Sequence, residues 1–161
     1  MVVTLGTVFA VSGAAIALGV AGLSTAFGVK AAGVTGAGAV AEKKEHFKNA
    51  LILQALPQTQ TVYAFITALL ILMGAGLLGG GAKELSMAQG LTMFGAGALV
   101  GITGISAIMQ GLVSASGIVS CTKNPDAFAP SLVFSGQCET PAIFGFIASL
   151  ILLVVGLGVL G

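Results

Sequence analysis

Apolar residues run through this chain in four long blocks, with the charged positions gathered mainly between them. No charged residue occurs from Met1 to Val29, from Asn49 to Ala82, from Leu85 to Thr122 or from Thr140 to Gly161. About 20 apolar residues cross a bilayer as a helix. The pattern therefore predicts an all-α membrane protein with four spanning helices, at Val2–Val40, Phe47–Gly79, Leu85–Cys121 and Phe128–Leu160. Almost no chain is left over for a water-soluble domain. The first block is too long for the core of a cleaved leader and has no basic residues ahead of it.

The blocks also repeat. Tyr63–Leu72 reads YAFITALLIL, and Phe144–Leu153 reads FGFIASLILL. Gly19–Gly28 reads GVAGLSTAFG, and Gly101–Gln110 reads GITGISAIMQ. The chain thus reads as two copies of one helical hairpin, residues 1–80 and 81–161, duplicated in parallel rather than inverted. Glycine crowds spans one and three, whereas spans two and four are rich in Leu, Ile and Phe. Small residues let helix backbones approach closely in lipid. This predicts a homo-oligomeric ring with spans one and three inside and two and four outside, or simple close packing in a monomeric bundle.

Composition agrees with the pattern. Of 161 residues, 7% are charged, against about 25% in a soluble domain. The net charge of +1 offers nucleic acid no basic surface. Lysine placement sets the orientation. Lys43, Lys44 and Lys48 lie in the first connection and Lys123 in the third, with Lys30 toward the same end of span one; only Lys83 lies in the second. The loops 41–48 and 122–129 are therefore predicted to be cytoplasmic, with both termini and Lys83–Glu84 outside. His46 reads as a solvated loop residue. Cys121 and Cys138, with no CxxC spacing, read as free thiols.

One charge breaks the pattern. Glu139 is the only charged residue after Asp126 and lies inside the fourth block. A carboxylate at mid-bilayer costs about 3 kcal/mol on insertion scales, so such a group marks an ion or proton site. In the repeat it stands opposite Gln58, so one acid serves four helices. Span two carries LPQTQTVY, Leu56 to Tyr63, at the same depth, and span three carries Gln110. Gln60 and Tyr63 are three apart and share a helix face, and Leu56 and Thr59 lie on or near it. Pro57 disturbs the backbone hydrogen bonds there. A single carboxylate with amide, hydroxyl and carbonyl oxygens suits a hard cation, and its one negative charge balances one positive charge. A proton needs only the carboxyl and one partner, so the surplus of oxygen favours Na⁺ over H⁺. The bland alternative is interhelical hydrogen bonding that glues the bundle.

Three stretches, ALILQALPQTQTVYAF, MQGLVSASGI and CETPAIFGF, resemble the K subunit, or c-type proteolipid, of V-type and archaeal-type rotary ATPases, and in particular its sodium-coupled branch. The resemblance covers nearly the whole chain. It implies a Na⁺ cage made of the Leu56 carbonyl, Thr59, Gln60, Gln110 and Glu139, closed by a hydrogen bond from Tyr63 to the carboxylate. It also implies a rotor ring that hydrolyses no ATP itself, a membrane stator subunit supplying an arginine, and a central-stalk subunit docked on the cytoplasmic loops. This chain has no arginine and no P-loop. Pro141 and Gln58 depart from the pattern, at positions where Tyr and Gly are common. Pro141 predicts a bend in span four at the site, and either residue an added ligand or a shifted cage. A proton-carrying rotor of the same family is the alternative. A passive oligomeric channel fits less well, because the polar residues cluster at one depth instead of lining a continuous face.

Overall fold

The computed structural model describes residues 4–78 and 83–156. The predicted boundary between the hairpins at 80–81, and the outer ends of the predicted spans at Val2, Gly79 and Leu160, lie outside them. Within the described residues four helical stretches are long and apolar enough to cross a membrane: Leu5–Glu42, Lys44–Gly74, Met87–Lys123 and Pro125–Gly156. The four-span, all-helical reading holds.

Span one is one unbroken helix, α1 (Leu5–Glu42). It contains no proline, and its first turn is capped by the Thr4 hydroxyl, which accepts from the Thr7 amide at 3.2 Å, the ordinary remedy for an orphan N–H. Each of the other spans is interrupted. Span two divides into α2 (Phe47–Ala55) and α3 (Thr59–Gly74) around a 3₁₀ turn at Leu56–Gln58. Pro57 inside that turn has no N–H to give, which favours the tighter winding. Span three divides at Gly104–Ile105 into α4 (Met87–Thr103) and α5 (Ser106–Lys123). Its start is secured by a reciprocal capping box between Ser86 and Gln89. Span four divides at Cys138–Glu139 into α6 (Phe128–Gln137) and α7 (Thr140–Gly156).

The predicted loops at 41–48 and 122–129 are mostly helical. Between α1 and the 3₁₀ turn Lys44–His46 only Lys43 is extended. Between α5 and the 3₁₀ turn Pro125–Ala127 only Asn124 is, and its side chain accepts from the Asp126 amide at 3.0 Å. In the third connection the Asn124 cap and Pro125 restart the helix at once, and in both connections the charged residues mark a turn without making it long.

Spans one and three lie side by side and parallel. The Thr4 hydroxyl donates to the Leu85 carbonyl at 3.0 Å, and the backbones meet at Gly6–Gly90, Gly13–Gly97 and Gly28–Gly111. A Cβ added at Gly90, Gly97 or Gly111 would run into the facing glycine's own backbone, so these are contacts only glycine permits. Spans two and four pack on this pair and touch each other through α3 and α7. Their large apolar side chains, among them Phe65, Met73, Phe134, Phe144, Ile147 and Val155, face outward. The interior holds an apolar cluster toward one end (Ala10, Ile71, Leu85, Met93, Leu153) and another toward the opposite end (Ala32, Leu53, Ile118, Cys121). The polar side chains of interest lie between the two.

Candidate functional site

The three interruptions bring spans two, three and four together at the polar level. At the break in span two the chain offers the Leu56 carbonyl, which accepts from the Thr59 hydroxyl at 3.2 Å. The same hydroxyl lies 3.3 Å from Gln60 Oε1. Gln60 is fully buried, and its Nε2 donates to Gln110 Oε1 on α5 at 2.7 Å. Leu56, Thr59, Gln60 and Gln110 thus form one continuous polar chain.

Tyr63 and Glu139 form the second half. The Tyr63 hydroxyl donates to Glu139 Oε1 at 2.5 Å, a short bond of the kind a carboxylate accepts. The Tyr63 ring stacks on Phe146 of α7, with centroids 5.1 Å apart and planes inclined by 17°. That stacking fixes the ring over the carboxyl from the far side of the break. Glu139 itself is half-buried. Its carbonyl accepts from Ala142 at 2.9 Å and Ile143 at 3.1 Å, so it takes up the first turn of α7 where Pro141 has no N–H to donate.

Span four is interrupted at Cys138–Glu139, two residues ahead of Pro141. Gln58 stands apart from this group, exposed on the outer side of the 3₁₀ turn. Thr61 also leaves the group and donates to Thr25 on span one at 2.7 Å, while Thr25 donates to the Pro57 carbonyl at 3.1 Å. Reading LPQTQTVY as oxygens at one depth missed this division: Gln60 reaches span three and Thr59 stays beside it on the Leu56 carbonyl, whereas Thr61 is turned toward span one by the helical rotation. Sequence reading also passed over Ser106, whose hydroxyl stands 3.5 Å from Gln60 Nε2, and Ser114 and Ser135, which meet beneath the site. Spacing held the clue, since Ser106 and Ser114 lie four residues either side of Gln110 and Ser135 four before Glu139.

One buried polar atom in this group has no partner, Gln110 Nε2. Buried amides rarely go unsatisfied. An amide carries oxygen and nitrogen at nearly equivalent positions. Turning Gln60 and Gln110 over together keeps the 2.7 Å bond between them, places an oxygen where the orphan nitrogen was and turns the Gln60 nitrogen toward the Thr59 hydroxyl. In either orientation the group gathers the Leu56 carbonyl, Thr59, Gln60, Gln110, Tyr63 and Glu139, with one carboxylate among them. Among the described residues no group of three or more His, Cys, Asp and Glu comes together.

The family comparison decides the kinship. The model of the family of ATP synthase C subunits matches the chain twice, at residues 12–71 and 94–152. The chain belongs to the ATP synthase C-subunit family. Each match covers one copy of the repeat, so the duplication seen in the sequence is a duplication of the family unit. Among curated relatives, the A-type ATP synthase subunit K of Methanocaldococcus jannaschii is 38% identical over 142 residues, 88% of this chain and 60% of that protein. The V-type sodium ATPase subunit K of Enterococcus hirae is 38% identical over 148 residues, 91% of each chain. This chain thus spans less than two thirds of the archaeal relative and nearly all of the bacterial one. Membership of this family, with four spanning-capable helices, makes it a multi-pass membrane protein.

Proposed function

We propose that this chain is the ion-carrying subunit of the rotor ring of a V/A-type rotary ATPase, and that Glu139 carries Na⁺. The observation that carries the reading is the convergence of Gln60, Gln110, Tyr63 and Glu139 from three spans at one level, between two apolar clusters. Two hairpins, residues 1–80 and 81–161, build one protomer with one carboxylate. Copies assemble into a ring with spans one and three inside and two and four outside, where the outward apolar side chains meet lipid or neighbouring copies. The relatives' names support the assembly and, in the bacterial case, the ion.

The chemistry follows from charge. With the site empty, Glu139 holds a negative charge that costs about 3 kcal/mol or more in hydrocarbon. Na⁺ bound by Leu56, Thr59, Gln60, Gln110 and Glu139 cancels that charge and lets the loaded site travel past lipid. The Tyr63 hydroxyl holds the carboxylate toward the cage. Expelling the ion needs a competing positive charge, and a chain without arginine must receive it from a membrane stator. ATP hydrolysis lies with other subunits, coupled through a central stalk at the turns around Lys43–Lys44 and Asn124–Pro125. One carboxylate per four helices moves fewer ions per turn than single hairpins would at the same circumference. That ratio favours pumping against a steep gradient.

Carbodiimide labelling tests the reading, since it modifies protonated buried carboxyls. Millimolar Na⁺ is expected to shield Glu139 in intact rings. Labelling of Glu139 that responds to pH and ignores Na⁺ would establish the proton-carrying alternative instead.

A further inference from the structure

The cage leaves two buried serines unused. Most hydroxyls in these spans bond a carbonyl of their own preceding turn: Ser24 to Val20 at 2.7 Å, Thr35 to Ala31 at 3.0 Å, Thr67 to Tyr63 at 2.9 Å and Ser131 to Ala127 at 2.7 Å. Ser114 and Ser135 do otherwise. Their hydroxyls bond each other across α5 and α6 at 2.7 Å, and both residues are fully buried. The Ser135 hydroxyl also stands 3.5 Å from the Gln110 carbonyl.

Their placement ties this pair to the site. Ser114 follows Gln110 by four residues and Ser135 precedes Glu139 by four. Spans three and four are antiparallel, so the serine pair lies about 5.4 Å, one helical turn, to the same side of both Gln110 and Glu139. A bond there fixes the two residues at equal height. Below it, Gly117 and Ser131 pack so closely that a Cβ on the glycine would stand 2.8 Å from the Ser131 Cβ. Above it, span four breaks at Cys138–Glu139, so α6 alone sets the height of Glu139 from this side.

We propose that the Ser114–Ser135 pair is a positioning clasp that sets the spacing between Gln110 and Glu139 and thereby the size of the cation cage. The inference rests on the ion-site reading above. Its test uses whole rings of wild type, Ser135→Ala, Ser114→Ala, the double variant and Ser135→Thr. The quantity measured is the concentration of Na⁺, and separately of Li⁺, that half-protects Glu139 from carbodiimide. Ring mass in detergent serves as the control for assembly.

Each single alanine variant is expected to raise the half-protecting Na⁺ concentration roughly three- to tenfold, the scale of one buried interhelical hydrogen bond. The ratio of Li⁺ to Na⁺ concentrations should move with it, because a changed spacing alters the fit for the smaller ion and general loosening does not. The double variant should lose no more than either single, since both remove the same bond. Ser135→Thr keeps the hydroxyl at the cost of one buried methyl, so in rings of normal mass it should lose less Na⁺ protection than Ser135→Ala. Protection in wild type, with the alanine variants unchanged or with their losses adding, overturns the clasp alone. Absence of Na⁺ protection in wild-type rings overturns the sodium reading and the clasp with it.

Discussion

Spans two and four break at equivalent places and do different things there. The 3₁₀ turn Leu56–Gln58 and the interruption at Cys138–Glu139 stand 81 positions apart, the offset of the repeat. The prolines beside them are not equivalent: Pro57 lies inside the first break, and Pro141 follows the second. Winding the helix more tightly at this level is therefore common to both hairpins, and each reaches it with a different residue. What surrounds the break differs more. In the first hairpin Gln58 faces outward, Gly28 stands opposite Gln110, and Tyr63 finds its counterpart in Phe144. A Cβ on Gly28 would strike the Ala107 carbonyl and come within 3.0 Å of the Pro57 ring. The first hairpin has filled with backbone the room that the second keeps for a side chain. It lends Tyr63 to the second hairpin's carboxylate and Gln60 to Gln110 of span three.

The largest effect should come from erasing the difference in charge. Glu139→Gln makes both hairpins carry an amide at the break. Removing one partner of a buried charge interaction costs about 3–5 kcal/mol, so Na⁺ binding is expected to fall by more than about a hundredfold. Na⁺-stimulated ATP hydrolysis by the whole complex should fall to background while rings of normal mass still form. Retained Na⁺ transport in sealed vesicles would remove Glu139 from the site.

Tyr63→Phe makes span two resemble span four, where Phe144 stands. The ring should keep its stacking on Phe146, so the change isolates the hydroxyl. A hydrogen bond to a charged group contributes about 1.5–3 kcal/mol. The Na⁺ concentration that half-protects Glu139 is accordingly expected to rise roughly ten- to hundredfold. An unchanged titration would show that the 2.5 Å contact does no work in the loaded state.

Gly28→Ala attacks the filled side of the comparison. The added methyl meets backbone, which cannot swing away, and overpacking of this kind costs about 1–3 kcal/mol. The ring should dissociate at a lower temperature in detergent. Because Pro57 and Ala107 flank the cage, Na⁺ affinity should fall by a smaller factor than in Tyr63→Phe. A ring of undiminished thermal stability would mean that spans one and three are not held by this glycine contact.

Most of the architecture was legible in the sequence because a bilayer allows few solutions. Long uncharged blocks must be helices, and glycine crowding in spans one and three marked the pair whose backbones touch. The candidate residues were legible as a set because a lone carboxylate in hydrocarbon demands partners, and Gln60, Gln110 and Tyr63 were the polar side chains at its depth. The divisions within the set were not legible. Whether Thr59 or Thr61 stays beside Gln60 or turns to span one depends on the helical phase after the 3₁₀ turn, which a residue pattern does not carry. Ser114 and Ser135 escaped notice because isolated serines in spanning helices usually bond their own backbone. Only the packing of α5 against α6 shows that these two do not.

The smallest effect on Glu139 should come from giving the first hairpin a charge of its own. Gln58→Glu restores a carboxylate at the equivalent position without restoring the rest. Phe144 has no hydroxyl to donate, Gly28 has no amide to offer, and the side chain at position 58 is exposed on the outer face of the turn. A carboxyl placed so near lipid takes up a proton rather than bear the cost of charge, so position 58 should become a second target for carbodiimide. Millimolar Na⁺ should leave that second labelling untouched while still shielding Glu139, with the half-protecting concentration at Glu139 within about twofold of wild type. Mass spectrometry of the labelled peptides separates the two positions. Na⁺ shielding of position 58 would mean that a carboxylate near the break is enough to build a cage. Labelling there that ignores Na⁺ would locate ion binding in the partners: the amides of Gln60 and Gln110 and the hydroxyls of Thr59 and Tyr63.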